Sequence, residues 1–174
     1  MPDPLNGRGR ALDIGCGSGK STSTLIDMGY EVSGTDISCE AVSICTDRFG
    51  SGMFLEGSVL SLPYPDSSFD YAVAVHVLEH ITDVDMHRAV SEIRRILKPG
   101  GYLFIRDFAP GDMREGSRAD SDIVYIHRSP EDILAFFDGF SAVSCETVES
   151  RTRFGSVRCR AELLLRENDK NPGQ

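Results

Sequence analysis

A three-layer α/β domain is what this sequence predicts: a mostly parallel seven-stranded sheet with helices on both faces and an antiparallel C-terminal hairpin strand at one edge. Three observations carry that expectation. Short apolar segments alternate with segments of helical period over roughly the first hundred residues, the pattern of parallel strands joined by helices. FDYAVAVHV, residues 69–77, is a continuous apolar run of the kind buried on both faces of a parallel sheet. The last two strand-like segments, 142–149 and 156–165, follow each other across a short turn at Phe154-Gly155, as an antiparallel pair can and a parallel pair cannot.

Each element has its own signal. Arg10 to Ile14 reads as a short buried strand that runs into a glycine loop. Lys20 to Met28 is a helix stopped by Gly29, a residue suited to the left-handed position after a helix. Glu31 to Ile37 alternates into a second strand, and Ser38 can cap a helix from Cys39 to Phe49. Met53 to Ser58 makes a third strand. Met86, Ala89, Val90, Ile93, Ile96 and Leu97 form one apolar stripe at i, i+3, i+4, i+7 spacing. Pro99-Gly100-Gly101 then ends that helix and turns into a strand from Tyr102 to Phe108. Ser129-Pro130 opens another helix, with serine as cap and proline at the first helical position, and Gly139 closes it. One domain over 1–167 is expected, with 168–174 as a disordered tail.

The chain of 174 residues has room for one sizeable core. No apolar stretch approaches the ~20 residues of a membrane span, and MPDPLNGRGR lacks the apolar segment of a secretory signal. Five cysteines, an odd number with no Cys-x-x-Cys pair, argue against a disulfide framework or a zinc ribbon and for a reducing cytoplasm. A net charge of −9 argues against membrane surfaces and nucleic acid as partners. Arg151, Arg153, Arg158 and Arg160 are a local exception, readable as solvated charges on an edge hairpin or as a site for an anionic ligand.

GCGSGKS, residues 15–21, ends like a phosphate-binding P-loop, but Ile14 stands where that loop needs its first glycine. The dinucleotide fingerprint fails as well, because Lys20 takes the place of its third glycine. What remains is Asp13-x-Gly15-x-Gly17-x-Gly19, a glycine turn preceded by a carboxylate. About twenty residues on, Asp36 ends the second strand, where an acid can accept hydrogen bonds from a ribose diol. Loop and acid together imply an adenosine-bearing cofactor.

ALDIGCGSGKST, GTDIS, GSVLSLPYPDSSFDYAVAVHVLEHI and LKPGGYLFI come in the order and spacing seen in class I S-adenosylmethionine-dependent methyltransferases, whose small-molecule branch the chain resembles from about Arg10 to Phe108. The resemblance implies a Rossmann-like fold with S-adenosylmethionine as cofactor and a small molecule as methyl acceptor. It implies that Gly15, Gly17 and Gly19 lie against the methionine and ribose portions and that Asp13 helps hold the methionine ammonium through water or backbone. Asp36 takes the ribose hydroxyls, Ile37 packs on the adenine, and Ser58 and Val59 read its amino group, although relatives commonly carry Asp where Ser58 stands. His76 and Leu78 would line the sulfonium end.

A general base is required only if the acceptor arrives protonated; His80, Asp107 and His127 are the candidates. HVLEH also spells His-x-x-Glu-His, a zinc hydrolase motif, but that chemistry needs both histidines on one helix, and here the motif continues a strand. No metal is expected. About ten residues precede the first strand, where relatives place helices over the site, so a homo-oligomer or a partner chain could cover it. Ala109 to Arg128 is a long connection expected to act as a lid that brings Tyr125 and His127 near the acceptor. Two alternatives stay open: a methyltransferase acting on RNA or protein, and a noncatalytic or partner-activated cofactor-binding subunit.

Overall fold

The computed structural model describes residues 1–50, 53–115 and 125–168. A seven-stranded sheet runs through the middle in the order β3-β2-β1-β4-β5-β7-β6. Its strands are β1 Arg10–Ile14, β2 Glu31–Asp36, β3 Phe54–Glu56, β4 Phe69–Val75, β5 Leu97–Phe108, β6 Phe140–Arg151 and β7 Val157–Glu167. Every pairing from β3 to β5 is parallel, while β7 lies antiparallel to both β5 and β6. The helices are α1 Lys20–Met28, α2 Cys39–Phe49, α3 Asp83–Ile96 and α4 Pro130–Leu134.

The caps read from the sequence are in place. Gly29 follows α1 at φ 104°, Ser38 Oγ accepts from Ala41 N–H, and Ser129 forms a reciprocal capping box with Asp132. Strand ends of β2, β3, β4, β6 and β7 shift by one or two residues from expectation, and two other boundaries differ in kind. The α3 helix passes straight into β5 at Leu97, so Lys98 to Gly101 belong to the strand, with Gly100 at φ 74° and a register shift opposite Phe69 and Tyr71. The α4 helix stops at Leu134, and Gly139, at φ 83°, turns the chain into β6 instead of closing the helix. Asn168, expected in the tail, is tied down by its N–H to Gly139 O and by Ser141 Oγ; 169–174 lie outside the described residues.

The core lies on both faces of the sheet. On one, Leu12, Ala72, Leu103 and Leu163 meet Met86, Ile93 and Ile96 of α3. On the other, Ala11, Val32, Val73 and Phe104 meet Leu25 of α1, and Met1 and Leu5 pack there too. Arg95 on α3 fixes the connection before β4 through Leu62 O, Tyr64 O and the Asp66 carboxylate. The LPYPDSSFD stretch is thereby clamped where it leads into the central strand.

Candidate cofactor and acceptor site

Parallel strands deliver their carboxyl ends to one side of the sheet, and ligands bind where the connections diverge there. Register places Ile14 beside Thr35 and Ala74, so the turn after β1 lands between the ends of β2 and β4. Gly15 N–H and Cys16 N–H both donate to Thr35 O, at 2.7 and 3.0 Å, and Gly17 N–H donates to Asp36 Oδ2 at 2.9 Å. Three glycines serve three purposes. A side chain on Gly15 would strike Val77, one on Gly19 would strike Phe49, and one on Gly17 would meet nothing within 4 Å. Gly17 thus faces open space, where a ligand can approach the backbone.

A cavity of about 450 Å³ opens at this point, lined on its loop side by Gly15, Gly17, Asp36 and Ile37 and on its far side by Ser58, Val59, His76 and His80. Ile14, Thr35, Gly57, Val77 and Ile81 also line it. These five were missed because small and apolar residues of this kind carry no signal of a ligand site. Asp36 keeps its carboxylate at the mouth, with Oδ1 accepting from Ser38 N–H and Oδ2 from Gly17 N–H, both at 2.9 Å. Ile37, 75% exposed, offers a bare apolar face at the rim. A diol-binding acid beside an uncovered apolar platform and a glycine that leaves room for a ligand fit an adenosine group.

Two residues expected on the wall, Gly19 and Leu78, stand behind it, as does Asp13, expected to act through water or backbone. Asp13 is buried at the end of β1, where it accepts from Thr22 Oγ1 at 2.6 Å, and burial pushes its carboxyl up to about 6. Gly19 turns the loop into α1 against Phe49 and Cys45, away from the lining. Leu78 is fully buried in the cluster with Met86 and Ile93, because the strand breaks before it and a 3₁₀ turn, Leu78–His80, folds it inward.

Of the three candidate bases, His80 stands on the cavity wall, its ring edge-on to Tyr125 at 4.7 Å. Asp107 is only 2% exposed, takes Val77 N–H on Oδ1, and is pushed well above the usual carboxylate range by burial and then by the charge of Glu79. His127 stacks on Phe108 at 6.3 Å, and its Nε2 is buried without a hydrogen-bond partner among the described residues. Residues 116–124 of the expected lid lie outside the described residues.

HVLEH does not form a helix. His76 takes φ 59° and only the 3₁₀ turn follows, so the two histidines lack the helical spacing of a zinc hydrolase. His76, Glu79 and Asp107 do bring ligand-type atoms within 4.8 Å of one another. Glu79 Oε2 takes both Phe108 N–H at 2.7 Å and His76 Nδ1 at 3.2 Å, while Oε1 is buried without a hydrogen-bond partner among the described residues, 3.8 Å from His80 Nε2.

A family model described as a methyltransferase domain matches residues 12–105. The chain is 36% identical over 103 residues to the O-methyltransferase cnsE of Penicillium expansum, an overlap of 55% of this chain and 37% of that protein. It is 33% identical over 128 residues to the 27-O-demethylrifamycin SV methyltransferase of Amycolatopsis mediterranei, an overlap of 70% and 46%. The chain therefore spans less than half the length of these curated relatives. Among solved structures, an S-adenosylmethionine-dependent methyltransferase from Methanosarcina mazei superimposes with a TM-score of 0.80 over 95% of both chains, at 23% identity, a likeness of fold.

Proposed function

Because the chain belongs to the methyltransferase-domain family, we propose that it binds S-adenosylmethionine in the cavity beside β1, β2 and β4 and transfers the methyl group to an oxygen, nitrogen or carbon nucleophile of a small molecule. The observation that carries this reading is the lining itself: Gly17 open to a ligand, the Asp36 carboxylate at the mouth and the bare face of Ile37. In it, Asp36 accepts from the ribose hydroxyls, Ile37 covers one face of the adenine, and Ser58 and Val59 border its edge. Asp13 acts from behind, holding the loop through Thr22 on α1. When bound, the cofactor supplies an already activated methyl group, so the protein's part is to position the acceptor and exclude water.

The arginine hairpin supports a small acceptor over RNA or protein. Arg158 is paired with Asp112, and Arg160 and Arg151 are held within the hairpin by Ser150 Oγ and Gly155 O, so three of the four side chains already have partners in the fold. All five cysteines are free thiols, which supports a cytoplasmic setting. No helix among the described residues is long and apolar enough to cross a membrane.

S-adenosylhomocysteine should bind in a calorimetric titration and raise the melting temperature, whereas NAD and ATP should do neither; the reverse result would refute the proposal. Mass spectrometry of a cell extract incubated with the protein and labelled donor should show methylated small molecules, not labelled RNA or protein. Methylation should survive treatment with a chelator, and stoichiometric metal in the purified protein would overturn the metal-independent reading.

A further inference from the structure

His76 follows β4 in a left-handed conformation, φ 59°, which residues other than glycine seldom adopt. Bonds on either side hold it there: His76 N–H donates to Arg106 O at 2.7 Å, and Val77 N–H to Asp107 Oδ1 at 3.2 Å. The turn brings Nδ1 to 3.2 Å from Glu79 Oε2 and lays the imidazole on Phe108, ring centroids 4.2 Å apart. Glu79 is itself 1% exposed and fixed from the other side by Phe108 N–H. An ionised carboxylate only accepts, so facing one Nδ1 carries the ring proton and Nε2 the lone pair. Nδ1 is turned to Glu79, about a third of the side chain is exposed, and His76 lines the cavity, so Nε2 is the ring nitrogen left for a ligand there. An asparagine would tolerate this backbone and satisfy Glu79 equally well. What the imidazole adds is a base.

We propose that His76 is the general base of the methyl transfer, oriented by Glu79, and that the acceptor is accordingly a hydroxyl compound, a phenol or enol, that arrives protonated. This rests on the methyltransferase reading above and narrows it. A neutral amine attacks through a lone pair it already has, whereas a hydroxyl is a poor nucleophile until its proton leaves. In the step, the hydroxyl oxygen bonds to the methyl carbon and its proton passes to Nε2. The donor sulfur keeps the electron pair of the broken bond as a neutral thioether. The imidazolium is stabilised by the Glu79 carboxylate and releases its proton to water from its exposed edge. Asp107 lies beside this pair with its carboxyl pushed well above the usual carboxylate range, by burial and then by the charge of Glu79, and His80 Nε2 stands 3.8 Å from Glu79 Oε1.

Two measurements test the assignment. Long-range proton–nitrogen NMR of the ligand-free protein should show His76 as the Nδ1–H tautomer; the Nε2–H tautomer overturns the proposal without any assay of turnover. The second compares wild type with His76→Asn on ring-substituted phenols, from unsubstituted phenol to 4-nitrophenol. The variant should be slower by roughly 10²–10⁴-fold on phenols that stay protonated and within about tenfold on the ionised nitrophenol. An equal loss across the series, no loss at all, or a wild type that methylates no phenol each overturns it. Failure of S-adenosylhomocysteine to bind the wild type sinks the family reading instead, and the tautomer result stands apart from that.

Discussion

In the proposed binding mode Asp36 serves the loop and the ligand with one carboxylate. Two backbone N–H groups, of Gly17 and Ser38, already occupy one lone pair on each oxygen, which holds the side chain still and leaves the remaining lone pairs directed at the cavity. Losing a charged acceptor costs roughly 1.5–3 kcal/mol, so Asp36→Ala should weaken S-adenosylhomocysteine binding by about 10- to 150-fold; equal affinity by calorimetry would remove Asp36 from the site. Asp13 behaves differently because it is sealed from water. Its folded-state value, pushed up to about 6, lies above the 3.8 of an exposed Asp, so between those values the folded state keeps a proton that the unfolded chain has lost. Stability from this group is therefore lost as pH rises from about 4 to 6, by about 3 kcal/mol at most. Asp13→Asn, which can still accept from Thr22, should gain on the wild type by that order between pH 4 and pH 7 in ligand-free urea unfolding. A difference that does not change with pH would show that Asp13 ionises as freely as a surface acid.

At the scale of elements, what could be read in advance was whatever local chemistry dictates. The α3 stripe, the Ser38 and Ser129 caps and the glycine after α1 each follow from residues within one turn of the feature. The loop side of the cavity was legible for the same reason, since Gly15, Gly17, Asp36 and Ile37 line it from two strand ends that motif spacing locates. The far side was not. FDYAVAVHV reads as one strand to Val77, yet β4 stops at Val75, and the reversal at His76 is what turns its ring onto Glu79. That turn is fixed by Arg106 O and Asp107 on β5, some thirty residues away, a relation no local pattern encodes. Arg128 supplies the other support for this corner, donating to Leu78 O, Ile81 O and Asp83 from a position only 6% exposed. Arg128→Met would strip the buried Leu78 carbonyl of a charged donor, at roughly 1.5–3 kcal/mol. A drop of about 3–12 °C in melting temperature is expected, together with loss of the His76–Glu79 contact in NMR; an unchanged melting temperature would mean the corner holds itself.

Across the whole molecule, β7 alone runs against the rest of the sheet, and it joins β5 on one side to β6 on the other. Among the strands β6 pairs only with β7, and most of its residues are exposed. The outer third of the sheet therefore depends on one late segment of the chain. As the polypeptide leaves the ribosome, β5 emerges with a bare edge and β6 follows with nothing to pair with. Neither ladder can form before residues 157–167 are made, because β7 follows β6 in the chain yet lies between β5 and β6 in the sheet. An unpaired edge is a template for pairing with other chains, so a nascent chain stalled in that window is the form most exposed to aggregation. Chains ended at Arg151 should accumulate as insoluble material, while full-length chains made at the same rate should not. Sedimentation of the two translation products would decide it, with equal solubility showing that β5 can close without its insert. The strand that completes the sheet is thus also its quality checkpoint: a ribosome that stops one strand early leaves two ladders open, not one.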